Sequence, residues 1–201
     1  MARELCDVLR DDFNIEIDSA IATLPTITEI GMASLLPKAD ESKIVSIGNG
    51  RLALDINGSL IKQLKDRIDF LKDNTFVQFF EAKLDDLLPK PVKKVREGIQ
   101  NARLVLITSQ EIDELCEQDN ITQARRQMDG VLNDLRRGVR VLTDLGVKTV
   151  VLVADHGHLF ADEITEDMKI EAPGGDTADL HRRVWVGVGG TEEPSYLRPS
   201  L

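Results

Sequence analysis

Three observations predict an α/β fold, a mainly parallel sheet with helices on both faces. Two apolar runs, residues 103–108 and 147–154, read as strands covered on both sides. Between them Ile121, Ala124, Met128, Val131, Leu135, Val139 and Leu142 form one helical stripe, which makes a strand, helix, strand crossover. Both runs end on polar groups, Ser109-Gln110-Glu111-Ile112-Asp113 and Asp155-His156-Gly157-His158, at the strand ends where open α/β sheets bind ligands.

The elements follow in chain order. Leu5, Val8 and Leu9 predict a helix over residues 2–12, and the alternation of 13–17 predicts a short strand. A parallel α/β domain ordinarily opens with a strand, so the chain is expected to start inside its domain. Pro25 holds residues 24–27 extended, and Thr28 precedes a helix with Glu29 in its first turn, kept narrow by Gly31, Ala33 and Ser34. Strands at 44–47 and 51–56 flank Gly48-Asn49-Gly50, a hairpin expected as an insertion over 39–58, and Asn57-Gly58 marks a second turn before an amphipathic helix at 59–71. Over 76–100 the spacing of Phe79, Phe80, Leu84, Leu87 and Leu88 predicts helical packing broken at Pro89 and Pro91. Gly146 is placed to stop the long helix, and 183–188 reads as a last strand after the loop Ala172-Pro173-Gly174-Gly175.

At 201 residues the chain is long enough for one sizeable core, and two independent domains are not expected. A net charge of -10 disfavours nonspecific binding of a polyanion, and a single Trp and Tyr leave little for base stacking. Cys6 and Cys116 stand outside any CxxC pattern, which excludes a thiolate zinc site of that kind and fits a reducing cytoplasm. No apolar run approaches membrane-spanning length, so no membrane partner is expected. Arg125, Arg126, Arg136, Arg137 and Arg140 on the long helix read as a solvated face.

Chemistry gathers at three places. Asp155 and His156 can share a hard or borderline cation, or Asp155 can simply cap the following segment. Asp113 and Glu117 share a face if that segment is helical, a chelating pair or an ordinary exposed one. Thr28 is either a helix cap or a nucleophilic hydroxyl. Together they are the ingredients of a two-metal hydrolase, in which cations roughly 4 Å apart hold a phosphate or sulfate ester. His158 and His181 read as structural or exposed.

The segments Leu24-Pro25-Thr26-Ile27-Thr28-Glu29-Ile30-Gly31-Met32-Ala33-Ser34-Leu35-Leu36-Pro37, Ser109-Gln110-Glu111-Ile112-Asp113 and Ala154-Asp155-His156-Gly157, in that order, resemble the PglZ domain of the alkaline-phosphatase superfamily, found in BREX-type phage-resistance systems. The resemblance implies an alkaline-phosphatase-like sheet, Thr28 at the nucleophile position, Asp155 and His156 in one metal site and Asp113 in the other. Where related enzymes carry a histidine four residues after that aspartate, this chain has Glu117, which also binds hard cations. The complete domain is expected to hold two divalent metal ions, zinc, manganese or magnesium.

Two features depart from the family's pattern: its first metal aspartate, which ends an opening strand, and a distal histidine have no match here. The chain is therefore expected to be a fragment, incomplete at both ends, with weak or no turnover alone. The expected function is that of a metal-dependent phosphatase or phosphodiesterase in phage defence, acting on a phosphoester, with nucleic acid or nucleotide among the candidates, beside other defence proteins. The alternative is a non-catalytic interaction module that keeps the fold.

Overall fold

The computed structural model describes residues 2–48, 51–75, 77–111, 121–155, 165, 169–181 and 184–196, with only the backbone of 121–124. The chain divides into two compact units. One comprises residues 1–19, 75–152 and 158–162, the other 20–74, 153–157 and 163–201.

The first unit is built on α1 (Ala2–Leu9), β4 (Phe79–Lys83), α4 (Lys93–Asn101), β5 (Leu104–Thr108) and α5 (Ile121–Asp144). β4 and β5 pair in parallel, Phe79 opposite Leu104 through Lys83 opposite Thr108, with α4 as the crossover. The parallel crossover thus lies one step earlier in the chain than the sequence suggests. The helical spacing read over 76–100 is overturned at its start. A short apolar run is ambiguous between helix and strand, and here the ladder offered by β5 decides. Leu84, Leu87, Ile99 and Leu142 form the core beneath this pair. Gly138 admits Leu84: a Cβ there would stand 2.6 Å from the Leu84 Cδ1 atom.

α5 ends as the sequence predicts. Gly146 takes φ 98°, and the Val147 amide donates to the Leu142 carbonyl at 3.0 Å, the 6→1 bond of a Schellman motif. The same helix carries Gly130 on its exposed face with open space where a Cβ would go. Gly130→Ala is therefore expected to raise stability by about 1 kcal/mol, because it removes backbone freedom from the unfolded chain without a clash. A chemical-denaturation midpoint measures this.

Two expected strands do not form. Residues 13–17 carry no ladder. Residues 147–154 are not paired either: Val147 and Val150 pack against the first unit's core, whereas Val151 is 76% and Val153 64% exposed. High β propensity makes a strand only where a neighbouring edge supplies hydrogen-bond partners, and none of the described residues supplies one here. The mainly parallel sheet is accordingly not observed. The sheets are small, and two of the three are antiparallel.

Two of the five arginines read as a solvated face reach a carboxylate on a distant part of the chain. Arg136 and Arg140 on α5 both donate to the Asp12 carboxylate, at 2.6 to 2.7 Å, beside the packing of α1 on α5. These bonds hold the Asp12 carboxyl below its ordinary value. Because the folded value is depressed, the clamp's contribution is present above the ordinary carboxylate pKa of about 3.9 and is lost as pH falls through the lowered value. Asp12→Asn is expected to melt lower than wild type at neutral pH, and the gap is expected to close on acidification. Melting curves of both proteins across pH 2–7 test it.

The second unit is built on α2 (Thr28–Gly31), β1 (Lys43–Ser46), β2 (Leu52–Ile56), β3 (Ser59–Ile61), α3 (Leu64–Asn74), β6 (Asp176–His181) and β7 (Val184–Val188). β1 and β2 form the expected antiparallel hairpin. β2 is buried at four of its five positions, so it carries the core of its unit with Ile27, Ile30, Ala33, Ile61 and Phe70. The helix expected from residue 59 starts later. Asn57 and Gly58 take φ 52° and 86°, the turn that returns the chain antiparallel, so Ser59–Ile61 adds a strand to β2 first. The Asp66 carboxylate then accepts from the Lys62 and Gln63 amides at the entry to α3. β6 and β7 make a separate antiparallel pair whose Trp185 donates to the Thr177 hydroxyl at 2.8 Å.

Candidate active site

Thr28 is the first helical residue of α2. Ile27, extended at φ -103° and ψ 151°, occupies the cap position, and no side chain caps the helix. The reading of Thr28 as a cap is thereby overturned: its hydroxyl makes no capping bond, and the residue is exposed. The placement follows from the alternation of the segment. Pro25, Ile27, Ile30 and Gly31 are buried and fix the short helix on the β2 side of the core, which leaves Thr28 and Glu29 facing outward.

Asp155 lies against this helix. A Cβ on Gly31 would stand 2.8 Å from the Asp155 Cβ and 3.5 Å from its Oδ2, so only glycine's hydrogen fits between them. Asp155 thus packs on Gly31, the last residue of the helix that begins at Thr28. Asp155 Oδ2 is shielded from solvent. Asp113, Glu117, His156 and His158 lie outside the described residues. No three metal-type side chains converge among the described residues. His181, at the end of β6, is exposed and hydrogen-bonded to Asp179 at 3.2 Å.

Two residues of this unit escaped sequence reasoning. Gly31 was legible only as a small residue that narrows its helix, although its position inside the threonine-bearing motif was a usable signal. Arg67, on α3, gave no signal at all. Its guanidinium is half-buried, and its Nε is shielded from water with no hydrogen-bond acceptor among the described residues. Burial pushes this guanidinium below its ordinary pKa, and the charges of Glu29, Asp155 and Asp66 oppose the shift.

An α/β arrangement of helices and small sheets is consistent with an alkaline-phosphatase-like class of domain. Residues 1–197 match the BREX system PglZ alkaline phosphatase-like domain, and the chain belongs to that family. It is a phosphoesterase-like domain of a phage-defence system. No curated protein and no solved structure matches it. Among the described residues no helix is long and apolar enough to cross a membrane.

Proposed function

We propose that this domain hydrolyses a phosphoester with Thr28 as nucleophile, assisted by two divalent cations, one held by Asp155 and His156 and the other by Asp113 and Glu117. The observation that carries the reading is the contact of Asp155 with Gly31, which brings a half-buried carboxylate, its Oδ2 shielded from solvent, to the helix that begins at Thr28. A shielded carboxylate beside an imidazole-bearing residue suits a hard or borderline cation, zinc, manganese or magnesium. When bound, such cations supply electrostatic stabilisation of the anionic transition state and lower the pKa of coordinated hydroxyls.

The chain's own part is nucleophilic. The Thr28 hydroxyl loses its proton, its oxygen bonds to phosphorus, and the ester P–O bond breaks to release the alcohol, which takes up a proton. Water then cleaves the phospho-threonine, returns a proton to the Thr28 oxygen, and frees phosphate from a monoester substrate or a phosphomonoester from a diester. A net charge of -10 leaves substrate capture to the site rather than to the general field of the protein, so a nucleotide or a nucleic-acid end suits it better than a long duplex. Other phage-defence proteins are the proposed partners.

The test is hydrolysis of a chromogenic phosphodiester with manganese, zinc or chelator, together with metal content after dialysis. Weak metal-dependent turnover and bound metal are expected. Turnover unchanged by chelator would remove the cations from the reaction. Absence of both turnover and bound metal would leave a non-catalytic interaction module of the defence assembly as the function.

A further inference from the structure

We propose that the outer face of α4, in the first unit, docks the phosphodiester backbone of a nucleic-acid strand; the proposal does not depend on the reaction at Thr28. Val95 and Ile99 pack into the core of that unit, which turns the charged residues of the helix outward. Lys90, Lys93, Lys94 and Arg96 are four of the chain's 25 Lys and Arg residues, and residues 90–96 contain no Asp or Glu. All four are exposed. Lys93 makes only a solvent-screened contact with Glu97 at 3.6 Å, and Lys90, Lys94 and Arg96 have no side-chain partner among the described residues. Beside this strip Lys93, Arg96, Glu97, Gln100 and Leu145 line a cleft of about 250 Å³.

The competing role is that of a solvated face without a ligand. Such faces elsewhere in the chain carry mixed charge: Lys65 meets Asp69, Arg137 meets Asp134, and Arg136 and Arg140 meet Asp12. On α4 the like charges of Lys93 and Arg96, three residues apart, repel each other, and an anion from outside relieves the repulsion. An acidic protein surface could supply one, but protein interfaces deplete lysine and rest on a desolvated apolar centre. Here three of the four cations are lysines, with Val92 as the exposed apolar residue among them. A lysine-rich strip suits phosphates instead. From Lys93 to Gln100 the helix rises about 10 Å, the axial length of about three phosphates along one strand of B-form DNA. The net charge of -10 does not prevent the contact, because fields in physiological salt decay over about 8 Å and the nearest cations decide. Residues 89–101 contain no aromatic side chain, so bases are not stacked and the strand is held whatever its sequence.

The probes are short fluorescent DNA oligonucleotides of two unrelated sequences, single-stranded and duplex, titrated into the whole chain by anisotropy in the presence of chelator. Both sequences are expected to bind with equal affinity, and the affinity is expected to fall with salt at a log–log slope of about -3 to -4, the value for four phosphate contacts. The double variant Lys94→Gln with Arg96→Gln is expected to bind at least ~10-fold more weakly at low salt and to lose about 2 from the slope. Its hydrolysis of a chromogenic phosphodiester in the presence of metal is expected to match wild type. Unchanged affinity and slope in the folded double variant overturn the inference. If that variant does not fold, Lys90→Gln, which lies outside the helix, serves instead: a slope that does not fall by about 1 overturns it. Polyglutamate that binds the wild type as tightly as DNA also overturns it and makes the strip a docking surface for an acidic protein. Wild type that shows no salt-dependent DNA binding overturns it as well. Because binding is read with chelator, each of these results leaves the phosphoesterase reading standing, and a failure of hydrolysis leaves the docking site standing.

Discussion

Thr28→Ala is expected to lower metal-dependent phosphoester hydrolysis by at least ~10³-fold while leaving the melting temperature nearly unchanged. The size follows from the role, because removal of a covalent nucleophile eliminates the step and not merely one interaction within it. The selectivity follows from the local structure. Thr28 is exposed, its hydroxyl caps nothing, and the anchoring of α2 comes from Ile27, Ile30 and Gly31. A surface substitution of this kind ordinarily stays within about 0.5 kcal/mol. Thr28→Ser, which keeps a hydroxyl, is expected to retain activity and to yield a phosphorylated protein detectable by mass spectrometry during turnover. Equal rates for wild type and Thr28→Ala would exclude Thr28 from the chemistry and turn attention to another hydroxyl or to direct attack by water.

Gly31→Ala is expected to have the larger structural effect. The added methyl group would stand 2.8 Å from the Asp155 Cβ. That atom is the root of a side chain, not its mobile tip, so relief requires movement of backbone on one side or the other. Overpacking of this kind costs about 1–3 kcal/mol. The displacement also carries the Asp155 carboxylate away from α2, so manganese affinity is expected to fall by at least ~10-fold, read by calorimetry at a temperature where the variant remains folded. Gly130→Ala is the control, the same substitution in a helix with nothing nearby, and its opposite sign separates the contact from helix propensity. Normal metal affinity in Gly31→Ala would show that Asp155 does not need this contact to serve the site.

Much of the local architecture was legible because it depends on near neighbours in the chain. The long helix with its glycine stop, the hairpin around residues 48–50, the strand at 104–108 and the final strand at 184–188 are all encoded by periodicity and turn chemistry. The misreadings share one cause. Phe79–Lys83 and Ser59–Ile61 are strands because β5 and β2 offer them ladders, while residues 147–154, with higher β propensity, remain unpaired. A pairing partner is a property of the assembled unit, not of the segment that pairs.

The same division holds for the site. The sequence by itself determined the chemical inventory, a threonine, carboxylates and a histidine in ordered motifs, and through them the family. Only the tertiary structure decided that Gly31 is the seat of Asp155, that the Thr28 hydroxyl is not engaged in capping, and that Arg136 and Arg140 clamp Asp12. Spacing along a chain reports which side chains share one face of one element. Contact between residues 31 and 155, or between 12 and 140, is set by how whole elements pack, and close packing fixes such distances to fractions of an ångström that no local pattern records.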